Sequence, residues 1–282
     1  MINAIISTIL GSFATIFRKK SLNYKSPSSY FLLMSYTPII LISFALYLLW
    51  QFENFSFTFT WFTIFIIFLI IFLGYFNKII SQKIYSVDKI SVLAPYENIN
   101  RIISIIFWFI LFWDISVTSL FITILTVFVI IWFTIDFKTL KLPKSIKLFA
   151  FSQLLVSIAL LLTWYLLKQI SNIEFFVLNY IVWIIFILFI FFRKKDYSNI
   201  WFLPKKFYAE RIFGSHLWWL SYLMSLIIIK SMWISVSILL SFVWIWITLF
   251  LSYIILKDKP SKKDLLLTII VTILVWLWYY FK

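Results

Sequence analysis

The stretch Ser91–Asp114, SVLAPYENINRIISIIFWFILFWD, decides how this chain is read. From Ile102 onward it is as apolar as a bilayer core. Yet it opens with Pro95, Glu97, Asn98, Asn100 and Arg101, groups that a lipid-facing helix does not carry. An acid and a base one turn apart at the head of such a segment imply a membrane helix with one face turned away from lipid.

The rest of the chain fits that reading. Of 282 residues, 64% are apolar and only 12% charged, whereas a soluble domain needs a polar outer face. The apolar runs are continuous and lack the period-two alternation of a membrane β-barrel. At about 20 residues per span there is room for about ten helices and no extramembrane domain. Hydropathy places the spans at 2–17, 28–50, 58–82, 88–112, 117–136, 146–167, 174–192, 207–229, 232–256 and 263–281. Asn77, Lys78, Gln82, Lys83, Asp88 and Lys89 blur the junction between the third and fourth. The opening MINAIISTILGSFATIF has no basic leader or small-residue cleavage site and reads as a retained first span. With no cysteine, the chain has no disulfide framework and no thiolate chemistry.

A net charge of +15 would point to nucleic acid in a soluble protein. Here the cations fall between spans, where they act as topology signals and headgroup contacts, so no nucleic-acid partner is expected. Odd-numbered connectors hold 21 of the 25 lysines and arginines, among them Arg18, Lys78, Lys147, Arg211 and Lys259, while even-numbered ones hold Lys168 and Lys230 alone. The positive-inside rule therefore makes the odd connectors cytoplasmic and puts both termini outside.

An internal repeat is also visible. FLLMSYTPII from Phe31 matches FFVLNYIVWI from Phe175, pairing Tyr36 with Tyr180 at an offset of 144. At the same offset ISV at Ile90–Val92 matches ISV at Ile234–Val236, and Asp114 matches Asp258. Two five-helix halves follow, 1–138 and 139–282. Since five is odd, the second enters the membrane inverted, and matching connectors carry opposite charge bias, as inversion requires.

The segments IYSVDKISVLAPYENINRIISIIFWFILFWDISVTSLFITILTVFVIIWF and SMWISVSILLSFVWIWITLFLSYIILKDKPSKKDLLLTIIVTIL carry a family resemblance. Each is similar to the fourth and fifth helices of a repeat in EamA-type members of the drug/metabolite transporter superfamily. Pro95 stands at that family's L-x-P proline, and Asp114 and Asp258 stand where it usually has glutamate. The resemblance implies an all-α polytopic membrane protein of ten transmembrane helices in two inverted five-helix repeats. It further implies a secondary transporter without cofactor or catalytic residues. Two features depart from the family. Only Gly11, Gly74 and Gly214 are available for close helix contacts, so Ala, Ser and Thr must serve. Family members also usually keep both termini in the cytoplasm.

Glu97 lies roughly 10 Å and Arg101 roughly 16 Å past Ile90, on one helical face, with Asn98 beside them. They suit substrate binding or proton coupling; the alternative is a self-neutralised pair that ties two helices. In the second repeat Glu97 falls opposite Ser241. Asn77 lines the cavity or its cytoplasmic mouth. His216, the only histidine, serves either as an interhelical hydrogen bond or as a proton relay, with Tyr222 beyond it. Tyr36 and Tyr180 are gate residues or packing. No metal site is expected. The partners implied are a small-molecule solute, the lipid bilayer and protons, with the chain a monomer or homodimer. The competing functions are a lipid-linked-sugar flippase on the same fold and an intramembrane lipid-modifying enzyme. The enzyme lacks a histidine dyad, a thiol or a carboxylate cluster to work with.

Overall fold

The computed structural model describes residues 2–21, 39–52, 60–87, 90–93, 96, 103, 106–107, 117–134, 143–194, 205–231 and 234–280. They form helices α1 (Ile2–Ser21), α2 (Ile39–Phe52), α3 (Trp61–Val87), the short α4 (Ile90–Leu93) and α5 (Val117–Thr134). These are followed by α6 (Lys144–Leu167), α7 (Asn172–Lys194), α8 (Lys205–Ser231), α9 (Ile234–Leu256) and α10 (Lys262–Tyr280). There is no strand among the described residues. Among the described residues, three stretches are long and apolar enough to cross a bilayer: Trp61–Tyr85, Ser145–Leu167 and Asn172–Ile190. Leu120–Phe133 and Val243–Leu256 are apolar but shorter.

Local chemistry sets several helix ends. Thr60 caps α3, its Oγ1 accepting from the Thr63 amide at 3.2 Å. Ser171 and Glu174 form a capping box at α7: the Glu174 amide donates to Ser171 Oγ at 3.1 Å and the Ser171 amide to Glu174 Oε2 at 3.5 Å. Ser261 and Asp264 repeat the device at α10. At the end of α9, Lys257 takes a left-handed φ of 56°. The chain then turns back so that the Asp258 amide donates to the Ser252 carbonyl and the Ser252 hydroxyl to Asp258 Oδ2.

Packing crosses the chain's midpoint repeatedly. α1 runs along α8 and α9, α3 along α6 and α7, α2 along α7, and α5 along α10. α1 with α8 and α3 with α6 are antiparallel. Ser7 meets Ser221 near one end of α1 while Lys20 meets Glu210 near the other. Phe62 meets Tyr165 at one end of α3 while Ser81 meets Ser152 toward the other.

The distribution of polarity is compatible with a membrane protein. Large apolar side chains point outward from every long helix, among them Phe44, Phe65, Phe121, Phe189, Phe250 and Trp276. The hydroxyls of Ser7, Ser12, Thr126, Ser152, Ser157 and Thr248 are buried. They bond across helices or back to their own turns: Ser7 Oγ donates to the Ser221 carbonyl at 2.9 Å, and Thr248 Oγ1 to Ser12 Oγ at 3.1 Å. Water is not needed to satisfy such groups, and small hydroxylated residues let helices approach closely.

Arg18, Lys78, Lys83 and Arg211 do not lie in connectors, where the charge count assigns them. α1 continues to Ser21, α3 to Val87, and α8 begins at Lys205, so all four stand inside helices. Long cationic stems do not by themselves stop a helix, since Lys and Arg are good helix formers.

Candidate functional site

The ends of α1 and α3 and the start of α8 converge, and backbone carbonyls draw the cations together. Arg18 Nη2 donates to the Lys78 carbonyl at 3.4 Å, and Arg211 Nη2 donates to the Arg18 carbonyl at 3.1 Å. Lys19 reaches the Tyr85 carbonyl. Lys20 pairs with the buried Glu210 at 3.0 Å, fastening α1 to α8 beside them.

Between these helices lies a small open crevice of about 20 Å³, room for about one water. α1 lines it with Ala14, Thr15 and Arg18, α3 with Lys78, and α8 with Arg211, Gly214, Ser215 and Trp218. Three side chains are cationic and two carry hydroxyls; no acid is among the described lining residues. The Lys78 ammonium lies 4.6 Å from the Trp183 ring centre and 5.2 Å from that of Trp218. Arg18 sits 5.3 Å from the Tyr85 ring and Arg211 5.8 Å from that of Phe207. Aromatic faces hold a cation in place without cancelling its charge. Gly214 keeps the wall tight, because a Cβ there would stand 3.0 Å from Phe17 Cβ.

The residues singled out from sequence separate into groups. Tyr180 and Tyr222 come together in a buried aromatic cluster one turn further along α7 and α8. The Tyr180 and Trp219 rings meet edge-on at 5.1 Å, Tyr222 lies 5.9 Å from Trp219, and Asn179 Nδ2 donates to Tyr222 Oη at 3.2 Å. Asn77 joins α3 to α6: its Oδ1 accepts from Ser152 Oγ at 2.8 Å and from Ser81 Oγ at 3.2 Å. His216 Nδ1 turns back to the carbonyl of Ile212, in its own helix, at 2.8 Å. Tyr36, Glu97, Asn98 and Arg101 lie outside the described residues. So does the side chain of Ser241, which falls within α9.

Sequence reasoning counted Arg18, Lys78 and Arg211 as topology charges and so missed the crevice they line. The signal was there for Lys78, which stands nine residues before the end of α3 in FLGYFNKIISQ. A cation with apolar residues on both sides has to find a polar interior. The chain matches no protein-family model and no curated protein sequence.

Proposed function

We propose that this protein is a secondary transporter built as ten transmembrane helices in two inverted repeats, on the EamA-type drug/metabolite transporter plan. It moves a small organic solute by alternating access. The observation that carries the proposal is the crevice between α1, α3 and α8. Three cations converge there in an all-helical chain whose outward faces are apolar. Ionisable groups cost several kcal/mol in hydrocarbon, so they persist where they serve a solute pathway.

The repeat reading draws support from the helix positions. Shifted by 144, Trp61–Val87 falls on Lys205–Ser231, and Ile90 falls on Ile234. The packing keeps the same exchange, since α1 on α8 becomes α6 on α3. Even the polar interlock recurs: Asn77 and Ser81 meet Ser152 as Ser221 and Ser225 meet Ser7. The offset carries Asn77 to Ser221, Ser81 to Ser225, and Ser152 to within one residue of Ser7. In that frame Lys78 and Tyr222 are mates, so one half offers the pathway a cation and the other an aromatic hydroxyl. Glu97 and Arg101 are assigned to coupling on their sequence alone, with Glu97 releasing a proton when solute or Arg101 competes for it.

The test is flux. Purified protein in proteoliposomes should move one or more members of a labelled metabolite mixture saturably and recover them chemically unchanged. Absence of flux for every solute, or conversion of the solute, overturns the proposal.

A further inference from the structure

We infer that Arg18 and Lys19, at the end of α1, are gating residues: they strap α1 to the last turns of α3 and shut the mouth on the odd-connector side. The inference deepens the transporter reading and rests on it for the word gate; the strap itself stands on geometry. Among the described residues, α1 packs along α8 and α9, and α3 along α6 and α7, while α1 does not pack along α3. Long cationic side chains bridge α1 to α3 instead. Arg18 Nη2 donates to the Lys78 carbonyl at 3.4 Å, its guanidinium stands 5.3 Å from the Tyr85 ring centre, and Lys19 donates to the Tyr85 carbonyl. Tyr85 falls in the last turn of α3, where a carbonyl has no amide of its own helix to accept from. Lys19 supplies that donor and sets a positive charge at the negative end of the helix dipole. Lys20, the next residue, turns the other way and pairs with Glu210, which keeps α1 fastened to α8. Behind the strap, the crevice lined by Arg18 and Lys78 has room for about one water and none for a solute. These bonds are of a kind that can open, because each ends a flexible stem and water can replace a carbonyl as acceptor. By contrast, buried polar groups lock α1 to α8 and α3 to α6, with Ser7 on the Ser221 carbonyl and Ser152 on Asn77. α1 with α8 and α3 with α6 therefore move as two bodies once the strap lets go. The device is one-sided. Shifted by 144, Arg18 and Lys19 fall on Leu162 and Thr163, which bring no charge. Lys168, just past the end of α6, turns onto Trp164 of its own helix, 3.6 Å from the ring centre.

The experiment uses the full chain, which has no cysteine of its own, carrying Thr15→Cys in membrane vesicles. Thr15 lines the crevice and is buried. An impermeant maleimide, applied to the face at which Lys259→Cys labels, should react with it slowly. Arg18→Gln together with Lys19→Gln should speed that reaction about tenfold, through the loss of two charge-assisted contacts. Lys168→Gln, which removes a cation outside the strap, should leave the rate unchanged. Because glutamine variants can also label through misfolding, a second pair closes the strap instead of cutting it. Lys19→Cys with Tyr85→Cys, bridged by a short bifunctional thiosulfonate, should stop flux of the labelled metabolite mixture in proteoliposomes. Reductant should restore the flux, a reversal that loss of structure does not produce. A labelling rate indifferent to the glutamine pair, failure of the bridge to form, or flux that persists through it overturns the inference. Flux that runs while the strap has no control over labelling would sink the gate and spare the transporter. Faster labelling of the glutamine pair with no flux in any sample would retire the transporter reading and keep the strap as the closure of the crevice.

Discussion

Two residues hold conformations or contacts that single substitutions can test. Gly11 sits where α1 and α9 touch, and a Cβ built there would stand 2.0 Å from Trp244 Cζ3. No side chain tolerates that approach, so Gly11→Ala must push the helices apart or turn the indole. We expect a loss of about 1–3 kcal/mol in detergent unfolding. The double variant with Trp244→Leu should recover part of it, and additive losses would show that the contact is not the cause. Lys257 is the opposite case. Its left-handed φ of 56° costs a non-glycine residue about 1–2 kcal/mol, and its side chain is exposed. Lys257→Gly should therefore raise stability by about 1 kcal/mol, the relief of strain partly offset by a looser unfolded chain. A fall in melting temperature would show that the Lys257 side chain has a role of its own. The letter string offered Gly11 only as one of three glycines and did not mark Lys257, because a glycine's neighbour and a lysine's φ are set by chain segments far away or by the turn that follows.

Among the elements, the α3–α6 pair shows how polar residues hold helices that share an apolar environment. Asn77 accepts from Ser152 across the interface and from Ser81 one turn on. Asn77→Ala leaves two hydroxyls to find other acceptors and should cost about 1 kcal/mol, in line with interhelical hydrogen bonds in membranes. A cycle with Ser152→Ala, read by thermal unfolding, should give a coupling of similar size. Coupling near zero would mean that the bond does not hold the helices. The elements themselves were largely legible from sequence: spans predicted at 117–136, 146–167 and 232–256 correspond to helices Val117–Thr134, Lys144–Leu167 and Ile234–Leu256. Long apolar runs force a backbone to satisfy its own hydrogen bonds, so helix identity needs no tertiary information. Helix ends at the cationic side were misjudged by up to five residues, since Lys and Arg lower hydropathy without ending a helix.

For the whole molecule, the charge count gives an expected orientation, and the absence of cysteine allows a clean test. Lys168, at the turn between α6 and α7, and Lys259, between α9 and α10, are both exposed. If odd connectors are cytoplasmic, Lys168→Cys reacts with an impermeant maleimide on intact cells and Lys259→Cys only after permeabilisation. The reverse pattern would place the termini inside, and labelling of both from one face would break the odd–even alternation itself.

The order of residues alone determined that the described part of this chain is helical and largely apolar, because composition and run length act locally and every peptide group in a long apolar run must bond within it. It also flagged Tyr180, Tyr222 and Asn77 as polar groups needing company. Which company they keep was decided only by the tertiary structure, because packing brings Ser221 of α8 against Ser7 of α1, 214 positions away, and Ser152 of α6 against Ser81 of α3, 71 positions away. Arg18, Lys78 and Arg211 are separated by 60 and 133 positions, too far for any local pattern to connect. They become one crevice only because antiparallel packing lays three helix ends side by side.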